Sequence, residues 1–140
     1  MIYIEDKTQE MQFELIEKIA FAKKFELVFW LYQEYKKSEF LGLPVSPELQ
    51  GEAVTTYGNG SFPYNTLRIE CNASTIELMQ QNKKTIEENC DSIVLYEPAN
   101  HDWYLCTIGH EGMSLIRDDS VMNELSSNGF QASLEAPEWW

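Results

Sequence analysis

Three apolar runs follow one another closely: "SIVLYEP" from Ser92, "HDWYLCTI" from His101 and "MSLIR" from Met113. Pro98 ends the first, "AN" turns into the second, and "GHEG" turns into the third, so the runs read as consecutive strands of one sheet. A chain built around such a meander must supply elements that cover it. Upstream, "TLRIEC" (66–71) alternates as a strand, with Leu67, Ile69 and Cys71 on one side. Ser74 with Glu77 reads as a capping box, and Ile76, Met79 and Ile86 form the buried stripe of a helix running to about Asn89. Acids at Asp118 and Asp119 suit the start of a last short helix. That helix ends at Gly129 in a left-handed cap, with Phe130 folding back on Leu125, and "FQASL" (130–134) alternates as a final strand.

Before the first of these strands, Asp6 and Gln9 resemble a capping box. Apolar residues then recur at Met11, Leu15, Ile19, Ala22, Phe25, Phe29 and Tyr32, in steps of three and four. The spacing predicts one long helix, with a strand over 27–32 as the competing assignment because the run is rich in β-formers. Residues 42–65 hold four glycines and three prolines. A regular element of that length is excluded, and "AVTTY" before "GNG" suggests a hairpin whose tip presents Tyr57, Phe62 and Tyr64.

The expectation is therefore a single α+β domain over 1–140. It has a mostly antiparallel sheet of about four to six strands, with a long N-terminal helix and two shorter helices packed on it. A hydrophobic share of 44% with 7 Phe, 7 Tyr and 4 Trp argues against disorder, and a chain near this length buries roughly 68–70% of its extended surface.

The amino-terminal "MIYIEDKTQE" lacks the basic and apolar regions of a signal peptide, and the longest apolar run is far below the ~18 residues of a membrane span. A cytoplasmic location is expected. Cys71, Cys90 and Cys106 are odd in number and lack CxxC spacing, so neither a disulfide framework nor a zinc ribbon is indicated.

The segment 101–111 offers the sharpest chemical question. Cys106 with His110 suggests a nucleophile and its base, and His101, His110, Glu111 and Asp118 suggest metal ligands. Strand alternation sets Asp102, Tyr104, Cys106 and Ile108 on one face, with His101, Trp103, Leu105 and Thr107 on the other. Cys106 then has apolar neighbours and nearby carboxylates, opposite to what lowers a thiol pKa. The histidines stand at opposite ends of the strand, roughly 20 Å apart. Neither catalysis nor a metal is expected there, and no P-loop, dinucleotide-binding, HExxH, CxxC or GxSxG motif is present, so no cofactor is expected.

Charge carries the functional expectation. Residues 1–84 hold 12 acids and 9 bases, net −3, whereas residues 85–140 hold 11 acids and only Arg117, net −10. Such a field repels nucleic acid and anionic membranes and speeds encounter with a basic protein. Aromatics interleave with these acids, and aromatic anchors ringed by charge suit an interface. The residues expected to contact a partner are Tyr57, Glu97, Asp102, Trp103, Tyr104, Glu111, Asp118, Asp119, Glu138, Trp139 and Trp140. In size and charge the chain resembles bacterial immunity proteins that neutralise cationic, nuclease-type toxins, a resemblance of type carried by no sequence motif. It implies a basic protein partner and a monomer or weak dimer. The alternatives are a small hydrolase or transferase using His101, Cys106 or His110, and an adaptor dimerising through the apolar helix.

Overall fold

The structure is a computed structural model that describes residues 1–47 and 64–140. The strands are β1 (Ile2–Glu5), β2 (Glu26–Leu31), β3 (Glu39–Phe40), β4 (Leu43–Pro44), β5 (Ser46–Pro47), β6 (Asn65–Glu70), β7 (Cys90–Tyr96), β8 (Trp103–Ile108), β9 (Met113–Ile116) and β10 (Ala132–Ser133). The helices are α1 (Gln9–Ile19), α2 (Ala73–Gln81), α3 (Lys83–Asn89) and α4 (Met122–Ser127). Eight strands form one sheet in the order β10-β1-β9-β8-β7-β2-β6-β5, while β3 and β4 make a separate hairpin. Every pairing is antiparallel.

The class is α+β, but two expectations fail: four to six strands, and a long N-terminal helix. α1 spans 11 residues, and the apolar run after it is β2. The reason is burial on both sides. β2 lies between β6 and β7, with Leu27, Phe29 and Leu31 facing the helices and Val28 and Trp30 facing the opposite side, all 0% exposed. A strand buried on two faces is apolar at every position, which imitates the all-round apolarity of a buried helix. Dimerisation through that helix loses its basis, because α1 buries Phe13, Leu15, Ile16 and Ile19 in its own core.

Both faces of the sheet are core. On one, Phe13 and Ile16 of α1, Met79 of α2, Ile86 of α3 and Leu125 of α4 meet strand residues such as Ile4, Ile93, Leu95 and Ile116. On the other, Trp30, Val94, Tyr96, Trp103, Cys106, Ile108, Met113 and Leu115 pack together, joined by Tyr3 and Tyr64.

Local chemistry fixes the ends of elements, not always at the expected residues. Thr8, not Asp6, caps α1, accepting from Met11 N. Asn72 and Thr75, not Ser74 and Glu77, form the capping box of α2. The C-terminal cap of α4 is as expected: Gly129 has φ +87° and Phe130 N donates to Leu125 O. In the β3–β4 hairpin, Leu41 and Gly42 both take positive φ, the requirement of a type I′ turn. The "AVTTY–GNG" hairpin, with Tyr57 and Phe62, lies outside the described residues.

Gly112, after β8, tests how tightly the next turn is built. It has φ +63°, and a Cβ there would lie 2.8 Å from the Asp6 carbonyl oxygen, whereas Gly129 has nothing within 4 Å. Gly112→Ala is expected to lower unfolding free energy by roughly 2–4 kcal/mol, combining positive-φ strain with a backbone clash, against about 1 kcal/mol for Gly129→Ala. Urea midpoints of the two variants check the difference.

Candidate functional site

Asp91 stands where the β2–β7 register slips. Trp30 pairs with Ser92 and Leu31 with Cys90, so Asp91 is the extra residue of a β-bulge. The bulge buries a carboxylate at the end of an apolar strand, with its side chain 1% exposed. An unpaired buried charge is costly, and three donors meet this one. His110 backbone N donates to Oδ1 at 2.7 Å, the Tyr32 hydroxyl donates to Oδ1 at 3.4 Å, and the His110 ring engages Oδ2 through Nδ1.

His110 belongs to a 3-10 turn, Gly109–Glu111, joining β8 to β9. Its side chain is 56% exposed, and Nε2 faces Glu111 Oε1 at 3.7 Å. The other Glu111 oxygen accepts from Trp140 Nε1 at 2.5 Å, and Trp140 packs edge-on against Tyr3 with ring centroids 5.6 Å apart. Behind the turn, Asp6 is buried, accepting from Ser114 Oγ at 2.6 Å, while Gln12 donates to the carbonyls of Ile108 and Met113. Burial pushes Asp6 up to about 6, against the pull of its Ser114 and Gln12 hydrogen bonds.

A carboxylate aligned on Nδ1 with Nε2 turned outward is the geometry of a general base. The surroundings do not complete it. Burial raises all three thiols: Cys71 to about 11, Cys106 to about 12, and Cys90 higher still. The cavity beside Asp91, lined by Gln9, Gln12, Phe13 and Thr107, is about 10 Å³, the room of one water and not of a substrate. Among the described residues no group of three or more His, Cys, Asp or Glu is arranged to hold a metal ion, and no helix is long and apolar enough to cross a membrane.

The expected contact residues divide between the two ends of β8. Glu97, Asp102, Asp118 and Asp119 lie at the Trp103 end, and Glu111 at the Ile108 end, separated by a six-residue strand of roughly 17 Å. His101 and His110 are parted in the same way, and His101 sits in the hairpin turn with φ +57° instead of opening the strand.

The Trp103-end acids are largely spoken for. Glu97 pairs with Lys23 at 3.2 Å, Asp119 lies 2.6 Å from the Met1 amino group, and Asp118 accepts from the Ser120 hydroxyl and backbone N–H and then from Tyr104, which holds its carboxyl below the ordinary range. Lys23 also lies over the Tyr104 ring and Arg117 over the Trp103 ring. Trp103 and Tyr104 are 4% exposed, so neither is a surface anchor. Tyr104 is also on the face opposite to the one alternation assigns, because a second bulge pairs Tyr96 with Trp103 and Leu95 with Leu105. Trp103 thereby joins Cys106 and Ile108, while Tyr104 and Leu105 turn toward the helices.

A second constellation lies at the β10 edge. Tyr3, Glu5, Ser133, Glu135 and Glu138 line a groove of about 240 Å³ whose lining contains no lysine or arginine. Its neighbours in sequence, Leu134 and Trp139, are 54% and 59% exposed. Of the residues near the groove and the Asp91 bulge, Glu138, Trp139 and Trp140 are among those expected from the sequence to contact a partner, whereas Glu5, Glu135, Tyr3, Tyr32 and Asp91 are not. A lone acid heading the apolar "CDSIVLY" was the available signal for Asp91. Compared with protein-family profiles, curated proteins and solved structures, the chain matches none.

Asp6 gives a measurable consequence. Its folded pKa of about 6 exceeds the ordinary 3.8, so the fold is unpenalised below about pH 4 and loses stability as pH rises through 6. Asp6→Asn, which keeps an oxygen for Ser114, is expected to gain roughly 2–3 kcal/mol over the parent at pH 7.5 and nothing at pH 4. Denaturant unfolding at the two pH values checks the sign.

Proposed function

We propose that the protein is an acidic binding protein that covers a basic site on another protein, most concretely an inhibitor of the immunity type directed at a cationic nuclease. The observation that carries this reading is the β10-edge groove. Three carboxylates, Glu5, Glu135 and Glu138, converge with Tyr3 in a concavity without a lining cation, beside exposed Trp139 and Leu134.

The chemistry of such a groove favours lysine or arginine. A guanidinium or ammonium entering it finds charge-assisted acceptors and an aromatic ring. An exposed tryptophan beside the charges supplies the apolar anchor that interfaces require. The contact surface differs from the one expected from the sequence, since Glu97, Asp118 and Asp119 already have partners within the molecule, while Glu138 and Trp139 belong to the groove region. The net −10 of residues 85–140 acts at longer range by accelerating encounter with a positive surface.

The test is capture from a native lysate at low salt, identification of the bound protein, and titration of the purified pair by calorimetry. A basic protein is expected. Its affinity should fall steeply between 50 and 300 mM salt, and the triple variant Glu5→Gln, Glu135→Gln, Glu138→Gln should weaken it by at least about tenfold. A captured protein that binds parent and variant alike, or whose affinity ignores salt, would overturn the proposal.

A further inference from the structure

The His110 ring is bracketed by two carboxylates, and the second of them also holds the carboxy-terminal segment. Asp91 sits on Nδ1, Glu111 Oε1 stands 3.7 Å from Nε2, and Glu111 Oε2 accepts from the Trp140 indole. We propose that His110 is a proton-operated latch on this segment, tightening the Glu111–Trp140 contact when the ring is protonated and loosening it when the ring is neutral.

Protonation changes the number of donors on the ring. A neutral imidazole has one N–H, which Asp91 takes, leaving a lone pair on Nε2 facing the Glu111 carboxylate. An imidazolium donates from both nitrogens, so Nε2 gains a donor aimed at Oε1, and 3.7 Å is close enough for a small side-chain movement to close the bond. Because Oε1 serves His110 and Oε2 serves Trp140, the two contacts do not compete. Fixing one oxygen orients the other.

Asp91 does not follow such movement, being buried in the β7 bulge and held by the His110 backbone N–H and the Tyr32 hydroxyl. Trp140 carries the change to Tyr3, which lines the acidic groove. Among the described residues, the titratable groups at the ring are Asp91 of β7 and Glu111 on the turn itself. Around the Asp91 anchor stand Tyr32 after β2 and, on the adjoining cavity, Cys90 of β7 and Glu87 of α3, while Asp6 reaches the same turn through its carbonyl beside Gly112. The formal charges in that set are all negative. The latch is independent of any partner and stands or falls without one.

The experiment follows the Trp140 indole N–H by nitrogen–proton correlation spectra between pH 5 and 8, the range in which histidines change charge. The signal is assigned with Trp140→Phe. It should move with a single transition that disappears in both His110→Gln and Glu111→Gln and persists in Asp6→Asn, the other group placed to titrate there. Persistence in His110→Gln, loss in Asp6→Asn, or a signal that does not move overturns the proposal. Should His110→Gln fail to fold, the parent decides alone. The His110 ring proton, distinguished using His101→Gln, must share its midpoint with the Trp140 indole, and two different midpoints overturn the latch.

Discussion

A sheet buried on both faces leaves polar side chains few places to go. Val28 and Trp30 pack below β2 while Leu27, Phe29 and Leu31 pack above it, and β7 and β8 are buried at every position. Interior polar groups must be hydrogen-bonded or bear a desolvation cost of a few kcal/mol. Charged chemistry is therefore pushed to the strand ends, the bulges and the β10 edge. The Glu97–Asp118 end, the Asp91–His110 end and the edge groove follow from that exclusion.

The same constraint explains what could be read from the sequence. The meander β7–β8–β9 was legible because short turns join antiparallel neighbours, and the connections over 97–102 and 109–112 are well below the dozen or more residues a parallel crossover needs. The Leu125–Gly129–Phe130 cap was legible because its chemistry is local. β2 was not, since a run apolar at every position satisfies a helical period as readily as a doubly buried strand, and only its neighbours β6 and β7 decide between them. β1 was missed because four residues, "IYIE", carry too little pattern, yet the strand joins β10 to the rest of the sheet, pairing with both β9 and β10. Tyr104 was placed on the wrong face because a bulge inserts one residue and reverses the alternation before it.

At the site, residue types were visible and partners were not. His110 looked like an exposed turn histidine, and by exposure it is one. What the sequence hid was Asp91, nineteen positions away, delivered to the ring by the β7 bulge. The acids of the last fifty-six residues looked like a single face, yet β8 holds Glu97 and Glu111 at opposite ends, and long-range contacts bring Lys23 and Lys18 to Glu97 and Glu124. Composition gives the amount of charge, whereas its placement depends on register.

The Ile108 end of β8 concentrates groups that a stability-driven sequence would avoid: Asp6 and Asp91 buried within one turn region, with Gly109 and Gly112 approached closely by other side-chain and backbone atoms. A Cβ on Gly109 would meet Gln9 Nε2 at 2.7 Å and the Asp91 carbonyl at 3.1 Å, so the turn is packed against both the α1 region and the bulge. The His110 contact offsets part of the cost of burying the Asp91 carboxylate, but that alone does not call for Glu111 and Trp140 on the far side of the ring, so the wider arrangement is not explained by it. It is explained by position. Asp91 fixes the ring, the ring faces Glu111 across 3.7 Å, and Glu111 accepts from Trp140, giving a chain of polar contacts from the core to the edge where the groove opens. A turn pinned only by apolar packing would give the same hairpin and no such path.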